Sequence, residues 1–156
     1  MSEPAALGAA ESRAWVALIR AATLLPGALD GPLQASVGLI HYEFAMLKNL
    51  EAAPGSAMRV GELAAAGSST LPRTSKAVSR LEARGLVERA ACPGDGRAIT
   101  VRLTDGGRSA IAAASPAHLA QVRSLVLDRL SPAQLEHLAD ALEPVVEALA
   151  SRPPFD

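Results

Sequence analysis

Aromatic residues are scarce in this chain, and their scarcity limits the folds that it can adopt. Only 3% of the 156 residues are aromatic, whereas 49% are hydrophobic. The core must therefore be built from Ala, Leu and Val, whose small side chains favour closely packed helices. This composition excludes an intrinsically disordered chain, and the length predicts a single domain over residues 1–156.

Charge is distributed unevenly along the sequence. The formal net charge is −1, yet residues 59–108 contain nine basic residues against five acidic residues. This middle segment carries +4, and the two flanking segments together carry −5. A basic middle between acidic ends favours an anionic partner at the middle. Chance clustering of charges is the alternative.

Several features indicate the compartment in which the chain works. It has a single cysteine, Cys92, and therefore no internal disulfide, which is typical of a reducing cytoplasm. Its N-terminus lacks the basic region of a secretory signal. No segment approaches the roughly 20 uninterrupted apolar residues of a membrane span. We therefore expect a cytoplasmic protein with no membrane partner.

The hydrophobic pattern predicts six helices, a short strand and one β-hairpin. The predicted helices cover about 10–24, 39–52, 62–66, 71–84, 105–130 and 132–150. The predicted strand is 58–60, and the hairpin strands are 86–89 and 99–103. Pro26 and Pro32, each beside a glycine, are expected to end the first helix, and Pro116 to bend the fifth. Thr70, Thr104 and Ser131 are expected to cap the helices that follow them.

The predicted helix 71–84 has two chemically different faces. One face repeats residues suited to a core: Leu71, Thr74, Val78 and Leu81. Another face carries hydrogen-bond donors, most of them cationic: Arg73, Lys76, Arg80 and Arg84, with Ser75 and Ser79 beside them. A narrow basic face suits a helix that enters the major groove of DNA. An ordinary amphipathic helix with a solvated basic face has the same periodicity.

A short helix, a turn, a second helix and a hairpin form the winged helix-turn-helix order, and residues 60–108 resemble the DNA-binding core of the MarR family of bacterial regulators. The matching segments are Gly-Glu-Leu-Ala at 61–64, Ser-Arg-Leu-Glu-Ala-Arg-Gly-Leu-Val-Glu-Arg at 79–89, Asp-Gly-Arg-Ala at 95–98 and Val-Arg-Leu-Thr-Asp-Gly-Gly at 101–107. Residues 69–78 lie where the family has its recognition helix. The turn Gly-Ser-Ser at 67–69 departs from the apolar-Gly-apolar turn usual in the family.

The resemblance implies an all-α fold with a small β-wing. Its winged helix-turn-helix core would cover about 39–104, between dimerisation helices at about 7–25 and 105–150. It implies a homodimeric transcriptional regulator, usually a repressor, that binds pseudo-palindromic double-stranded DNA and is released by a small-molecule effector. The recognition-helix contacts that it implies are Thr70, Pro72, Arg73, Thr74, Ser75, Lys76, Ser79, Arg80 and Arg84. We expect Arg73 and Lys76 to reach base edges, and Arg80 and Arg84 to reach phosphates.

The resemblance also implies roles for the wing and the last helix. Arg97 would enter a minor groove and Asp95 would orient it, which suits the negative potential of a narrow minor groove. A surface ion pair within the turn is the alternative for these two residues. The last helix would contribute apolar residues to the dimer interface: Leu138, Leu142, Val145 and Leu149.

Enzymatic activity, a metal and a cofactor are not expected, because the three histidines (His41, His118 and His137) lie outside any metal-ligand motif and no catalytic motif is present. Three other functions are alternatives to DNA-binding regulation: redox sensing, metal sensing and protein–protein interaction. Cys92 could be a redox sensor, and His41, Glu43 and His118 could hold a metal, although nothing in the sequence supports either. The fold could instead be a protein–protein interaction module that binds no DNA. Trp15, His41 and Tyr42 are candidates for an effector pocket, or are simply core.

Overall fold

The computed structural model describes residues 6–92 and 95–151, with the side chains of residues 91–98 left undescribed. Six α-helices lie in this part of the chain: α1 (Ala9–Val37), α2 (His41–Ala52), α3 (Val60–Ala66), α4 (Leu71–Ala83), α5 (Asp105–Leu125) and α6 (Pro132–Ala150). The strands are β1 (Ala57–Arg59), β2 (Val87–Cys92) and β3 (Asp95–Leu103). Short 3₁₀ helices occupy Pro54–Ser56 and Leu127–Arg129. The all-α fold with a small β-wing is confirmed.

The sheet and the central helices enclose one hydrophobic core. The three strands are antiparallel in the order β1-β3-β2, with Met58 and Arg89 both opposite Val101. The largest fully buried side chains come from α1, α2, α3, α4, the sheet and the segment between α1 and α2, and most are leucines: Leu33, Leu39, Met46, Leu47, Leu50, Leu63, Leu81, Leu103, Val78, Val87, Val101 and Thr74. Small aliphatic side chains thus form most of this core.

Helix α1 is longer than the sequence predicted, because neither proline ends it. Pro32 has no N–H, so the Ala28 carbonyl four residues earlier lacks its helical donor. The Gln121 side chain of α5 supplies a replacement, since its Nε2 donates to the Ala28 oxygen at 2.7 Å. Leu29 and Leu33 of the same segment are buried. Tertiary packing therefore outweighs the breaker signals, and the prediction that the helix ends near residue 24 was wrong.

The start of α5 explains the Thr-Asp-Gly-Gly sequence at 104–107. Thr104 Oγ1 accepts from the Gly107 amide at 3.1 Å and donates to the Gly85 carbonyl at 2.7 Å, so it caps α5 as predicted. Gly107 is buried, and a Cβ there would overlap the Leu86 carbonyl oxygen. Only glycine fits at this junction between α5 and the segment after α4.

Other helix boundaries follow the sequence in part. Ser131 and Gln134 form the predicted capping box of α6, with bonds of 2.9 and 3.3 Å. Helix α5, by contrast, ends at Leu125 instead of continuing to residue 130, and both hairpin strands extend further than predicted. Thr70 occupies the N-cap of α4, but its side chain accepts no capping hydrogen bond among the described residues.

Much of α1 and all of α6 lie outside the core. By length and average composition alone, α1 could cross a membrane: an 18-residue window reaches a mean hydropathy of 1.2. The sequence predicted no membrane span because that prediction required an uninterrupted run of apolar residues, which is a stricter criterion than a window average. Of that window, 11% is buried within the single chain. None of the residues of α6, all of them described, is buried in the single chain.

Candidate nucleic-acid interface

Helix α4 packs one face on the core and exposes the other. Thr74, Ala77, Val78 and Leu81 are buried, which matches the helical repeat with one change from the prediction. Leu71 was expected in the core but is 56% exposed. It is the first residue of α4 and lies one turn before Thr74, beyond the edge of the packed surface. Ala77 takes the remaining core-facing position.

The exposed face of α4 forms a shallow basic groove. Its lining residues are Pro72, Arg73, Lys76 and Arg80, around a volume of about 440 Å³. All four are exposed, and Lys76 enters no ion pair with another described residue. The groove brings together four of the predicted contact residues on one helix face. It is a concentrated positive surface on a chain whose formal net charge is −1.

Arg73 bends back from this groove toward α2. Its guanidinium carbon lies 4.5 Å from the centre of the Tyr42 ring, a cation–π contact. The Tyr42 hydroxyl is hydrogen-bonded to Thr74 Oγ1 at 2.9 Å, and Thr74 Oγ1 also donates to the Thr70 carbonyl. Thr74 is fully buried. The expectation that Thr74 contacts DNA was therefore wrong, because its hydroxyl joins α4 to α2.

Two other predicted DNA-contacting cations hold the fold together. Arg80 Nε donates to Glu43 Oε1 at 2.7 Å, and the Glu43 side chain is only 8% exposed whereas that of Arg80 is 54% exposed. Arg80 thus neutralises a buried carboxylate while part of its guanidinium remains open to solvent. Arg84 donates from both terminal nitrogens to the carbonyls of Val37 and Gly38, at 2.5 and 2.6 Å. These bonds satisfy the C-terminal end of α1, where Gly38 has the left-handed φ of 65°.

Arg89 of β2 is a structural residue that sequence reasoning missed. It forms an ion pair with Glu82, and its other terminal nitrogen donates to the Ser75 carbonyl and to Ser79 Oγ. The Ser79 hydroxyl also donates to the Ser75 carbonyl. Arg89 therefore supports α4 from beneath. The only sequence signal was its place in the Leu-Val-Glu-Arg segment, which does not specify these partners.

At the predicted contact residues of the wing, the structure describes only the backbone. Asp95 and Arg97 lie at the start of β3, which pairs with β2 beside them. Their side chains, and that of Cys92, lie outside the described residues, so the expected roles of all three remain predictions.

The predicted dimer residues are largely exposed on α6. Leu138 and Val145 are each 41% exposed and Leu149 is 59% exposed, while Leu142 is half-buried. Trp15, Val16 and Ile19 add exposed apolar area on α1.

A cavity of about 460 Å³ lies between α1, α2 and the start of α4. Its lining includes His41 and Tyr42, as predicted, together with Asp30, Asn49 and Arg73. Trp15 does not line it. It is 55% exposed on the N-terminal half of α1, outside both this cavity and the core, and its role in an effector pocket stays a prediction. The cavity shares Arg73 with the basic groove and thereby connects the two.

A histidine pair lies next to this cavity. The His41 and His118 rings stack with centroids 5.4 Å apart, and Phe44 packs against His118. Both Nδ1 atoms are buried without a hydrogen-bond partner among the described residues. Burial, and to a smaller extent the neighbouring His41, lowers the pKa of His118 below its usual value. No group of three or more metal-ligating side chains occurs in the described ranges, and Glu43, the proposed third ligand, is paired with Arg80.

Comparisons with known proteins identify the fold and the family. The sequence model of the MarR family matches residues 38–98. The solved structure of Sco3205 from Streptomyces coelicolor, a MarR family transcriptional regulator in complex with DNA, is 38% identical, with a TM-score of 0.89, over 95% of this chain and 92% of that chain. The chain belongs to the MarR family.

A second member supports the assignment over its whole length. AbsC, a MarR family transcriptional regulator from Streptomyces coelicolor, is 32% identical with a TM-score of 0.88, over 95% of this chain and 99% of that chain. Sco5413, from the same organism, is 21% identical with a TM-score of 0.78 and shares the fold. A search of curated proteins found no match. The MarR family resemblance inferred from the sequence is confirmed.

Proposed function

We propose that the chain is a homodimeric, cytoplasmic transcriptional repressor that binds double-stranded DNA in a sequence-specific manner. The observation that carries this proposal is the basic groove on the exposed face of α4, formed by Pro72, Arg73, Lys76 and Arg80. Recognition helices of helix-turn-helix proteins place such a face in the major groove. The similarity to Sco3205, whose structure contains DNA, supports the same use of this surface. The proposed activity is binding and not catalysis.

The groove residues divide into different roles in this proposal. Lys76 has no described ion-pair partner and is the strongest candidate for a direct contact. Arg80 keeps about half of its side chain exposed and can meet a phosphate while it neutralises Glu43. Arg73 reaches base edges only after it leaves the Tyr42 ring. Asp95 and Arg97 of the wing are proposed to contact the neighbouring minor groove, as the family resemblance implies.

The salt dependence of binding tests whether this face meets DNA. Affinity for a mixed-sequence duplex is measured by fluorescence anisotropy over a series of salt concentrations. Each lost phosphate contact should reduce the log–log slope by about 0.9. Lys76→Ala should therefore weaken binding and flatten the slope by about one contact per protomer. Arg20→Ala is the matched control, because Arg20 is an exposed cation on α1. Equal effects of the two variants would contradict the proposal.

We further propose that two chains associate through α1, α5 and α6. A single chain exposes large apolar side chains on all three helices: Trp15, Val16, Ile19, Leu119, Leu125, Leu138, Val145 and Leu149. Exposed apolar area of this extent marks an association surface. Such a dimer would present its two α4 helices to successive major-groove segments, about 34 Å apart.

The cavity beside α4 is proposed as an effector site. It is lined by residues of α1 and α2 and by Arg73 of α4. An occupant that moved the Tyr42 ring would disturb both the Arg73 contact and the hydrogen bond to Thr74. Binding there would therefore alter the position of α4 and release DNA.

Filling the cavity by mutation tests this coupling. Ala45 lines the cavity, so Ala45→Trp should imitate an occupant. We expect weaker DNA binding with a melting temperature close to that of the original chain. Unchanged DNA affinity in a folded variant would contradict an effector role for this cavity.

A further inference from the structure

Leu71 gives the first turn of α4 an apolar tip. Leu71 is 56% exposed. The aliphatic residues in the middle of the same helix, Ala77, Val78 and Leu81, are buried. Pro72 beside Leu71 is also exposed. The next exposed cation along the helix, apart from Arg73, is Lys76, one turn later. An apolar patch therefore lies directly beside the basic groove.

The position of Arg73 increases the importance of this tip. Its guanidinium is held against the Tyr42 ring of α2, 4.5 Å from the ring centre. In helix-turn-helix proteins, the N-terminal residues of the recognition helix contact base edges. In this chain that position presents Leu71 and Pro72, which form no hydrogen bonds through their side chains. Base readout by these two residues must therefore be apolar.

We propose that Leu71 is a specificity-determining residue that contacts the C5-methyl group of a thymine in the major groove. The inference rests on the proposed function, because it requires α4 to enter that groove. Thymine is the one base that presents a methyl group there, and aliphatic side chains recognise it by apolar contact. Burying the two groups against each other removes both from water.

Charge beside Leu71 indicates DNA as the occupant of this surface. Pro72, the neighbour of Leu71, lines the basic groove together with Lys76 and Arg80, so a partner that covers both must offer anionic groups and an apolar group. A DNA duplex supplies both, with phosphates along the groove and thymine methyls on its floor. A purely apolar protein segment would leave the cations without partners.

Replacement of thymine by deoxyuridine tests the contact without changing the hydrogen-bonding edge. Duplexes are first enriched from a random pool with the full-length protein. Each thymine of an enriched duplex is then replaced singly by deoxyuridine, which lacks only the methyl group. At the contacted position we expect about a fourfold loss of affinity, the size expected for one buried methylene-sized group. Leu71→Ala should bind the thymine and uracil duplexes equally at that position. Leu71→Met should retain the preference.

Two controls make every outcome decisive. Lys76→Ala should lower affinity for both duplexes by the same factor and leave the thymine preference unchanged. Thermal denaturation checks that each variant is folded. We expect the Leu71 variants to fold, because Leu71 is exposed and its replacement removes little core packing. A thymine preference that persists in Leu71→Ala, or that exists at no position, would overturn the inference alone. Failure to enrich any duplex would overturn the proposed function, and this inference with it.

Discussion

At the scale of single residues, Arg84 shows that a cation of the basic helix face can have a structural role instead of a DNA-binding one. The sequence predicted a phosphate contact, whereas the structure shows both terminal nitrogens donating to the C-terminal carbonyls of α1. Hydrogen bonds from charged donors, and cations at helix C-termini, contribute about 1–2 kcal/mol in exposed positions. Arg84→Ala should therefore lower the free energy of unfolding by about that amount, as measured by urea denaturation.

The salt slope of DNA binding provides the second readout for Arg84. We expect Arg84→Ala to keep the slope of the unmodified chain, whereas Lys76→Ala should flatten the slope and leave stability nearly unchanged. The opposite pattern, with a flatter slope at unchanged stability in Arg84→Ala, would restore the phosphate contact predicted from the sequence.

His118 makes stability depend on pH. Its pKa is lowered by burial and by the adjacent His41, so the unfolded chain takes up this proton near pH 6.5 while the folded chain does not. The unfolded state then binds more protons, and the free energy of unfolding falls as pH drops below about 6.5. Above that pH both states are neutral at this site and the effect vanishes. His118→Phe should remove this contribution and flatten the stability curve between about pH 5 and 7.

Denaturant titrations across that pH range measure the effect. His137→Gln is the matched control, because His137 is exposed on α6, and this variant should keep the slope of the unmodified chain. An identical slope in His118→Phe would show that the histidine pair does not couple protonation to folding.

Residue-level prediction from sequence succeeded where chemistry is local and failed where partners come from distant segments. The caps at Thr104 and Ser131 depend on residues three positions away, and both were predicted. The partners of Arg84 lie more than 40 positions away, on α1. Nothing in the basic periodicity of α4 distinguishes Arg84 from Lys76. Only the packing of α4 against α1 makes that distinction.

At the scale of elements, the order of helices and strands was predictable and the continuity of α1 was not. Hydrophobic periodicity and turn residues located all six helices and the hairpin. Proline and glycine predicted that the first helix ends near residue 24. That prediction failed because local propensity takes no account of hydrogen-bond donors from distant parts of the chain. The bond from Gln121 to the Ala28 carbonyl is such a donor, and it joins residues 93 positions apart. Leu71 shows the same limit, since periodicity alone cannot show where the core stops.

A double-mutant cycle tests the role of Gln121 in α1. Gln121→Ala should destabilise the chain by about 0.5–1.5 kcal/mol, since the Ala28 carbonyl loses its donor. Pro32→Ala restores a backbone N–H for that carbonyl, so Gln121→Ala should cost less in this background. Urea denaturation of the four proteins gives the coupling energy. Strictly additive losses would show that Gln121 does not compensate for Pro32.

At the scale of the whole molecule, the exposed apolar surfaces of α1 and α6 require a second chain in our account. Charges placed in that interface would lack partners. Leu138→Asp combined with Leu142→Asp should therefore yield monomers in light scattering. Trp15 is the only tryptophan of the chain, so its emission should shift to the red if the interface opens around it. Asp140→Lys, a charge change on the same helix, is the control. A variant that remains dimeric would exclude these leucines from the interface.

The central claim is that two α4 helices of one dimer read DNA together, and selection from a random duplex pool tests it most directly. The account predicts enrichment of an inverted repeat whose half-sites are centred about one helical turn, or 10 base pairs, apart. Both half-sites should be protected by a single dimer, as measured by footprinting and mass. Absence of enrichment, or enrichment of an isolated half-site bound by one chain, would contradict the claim.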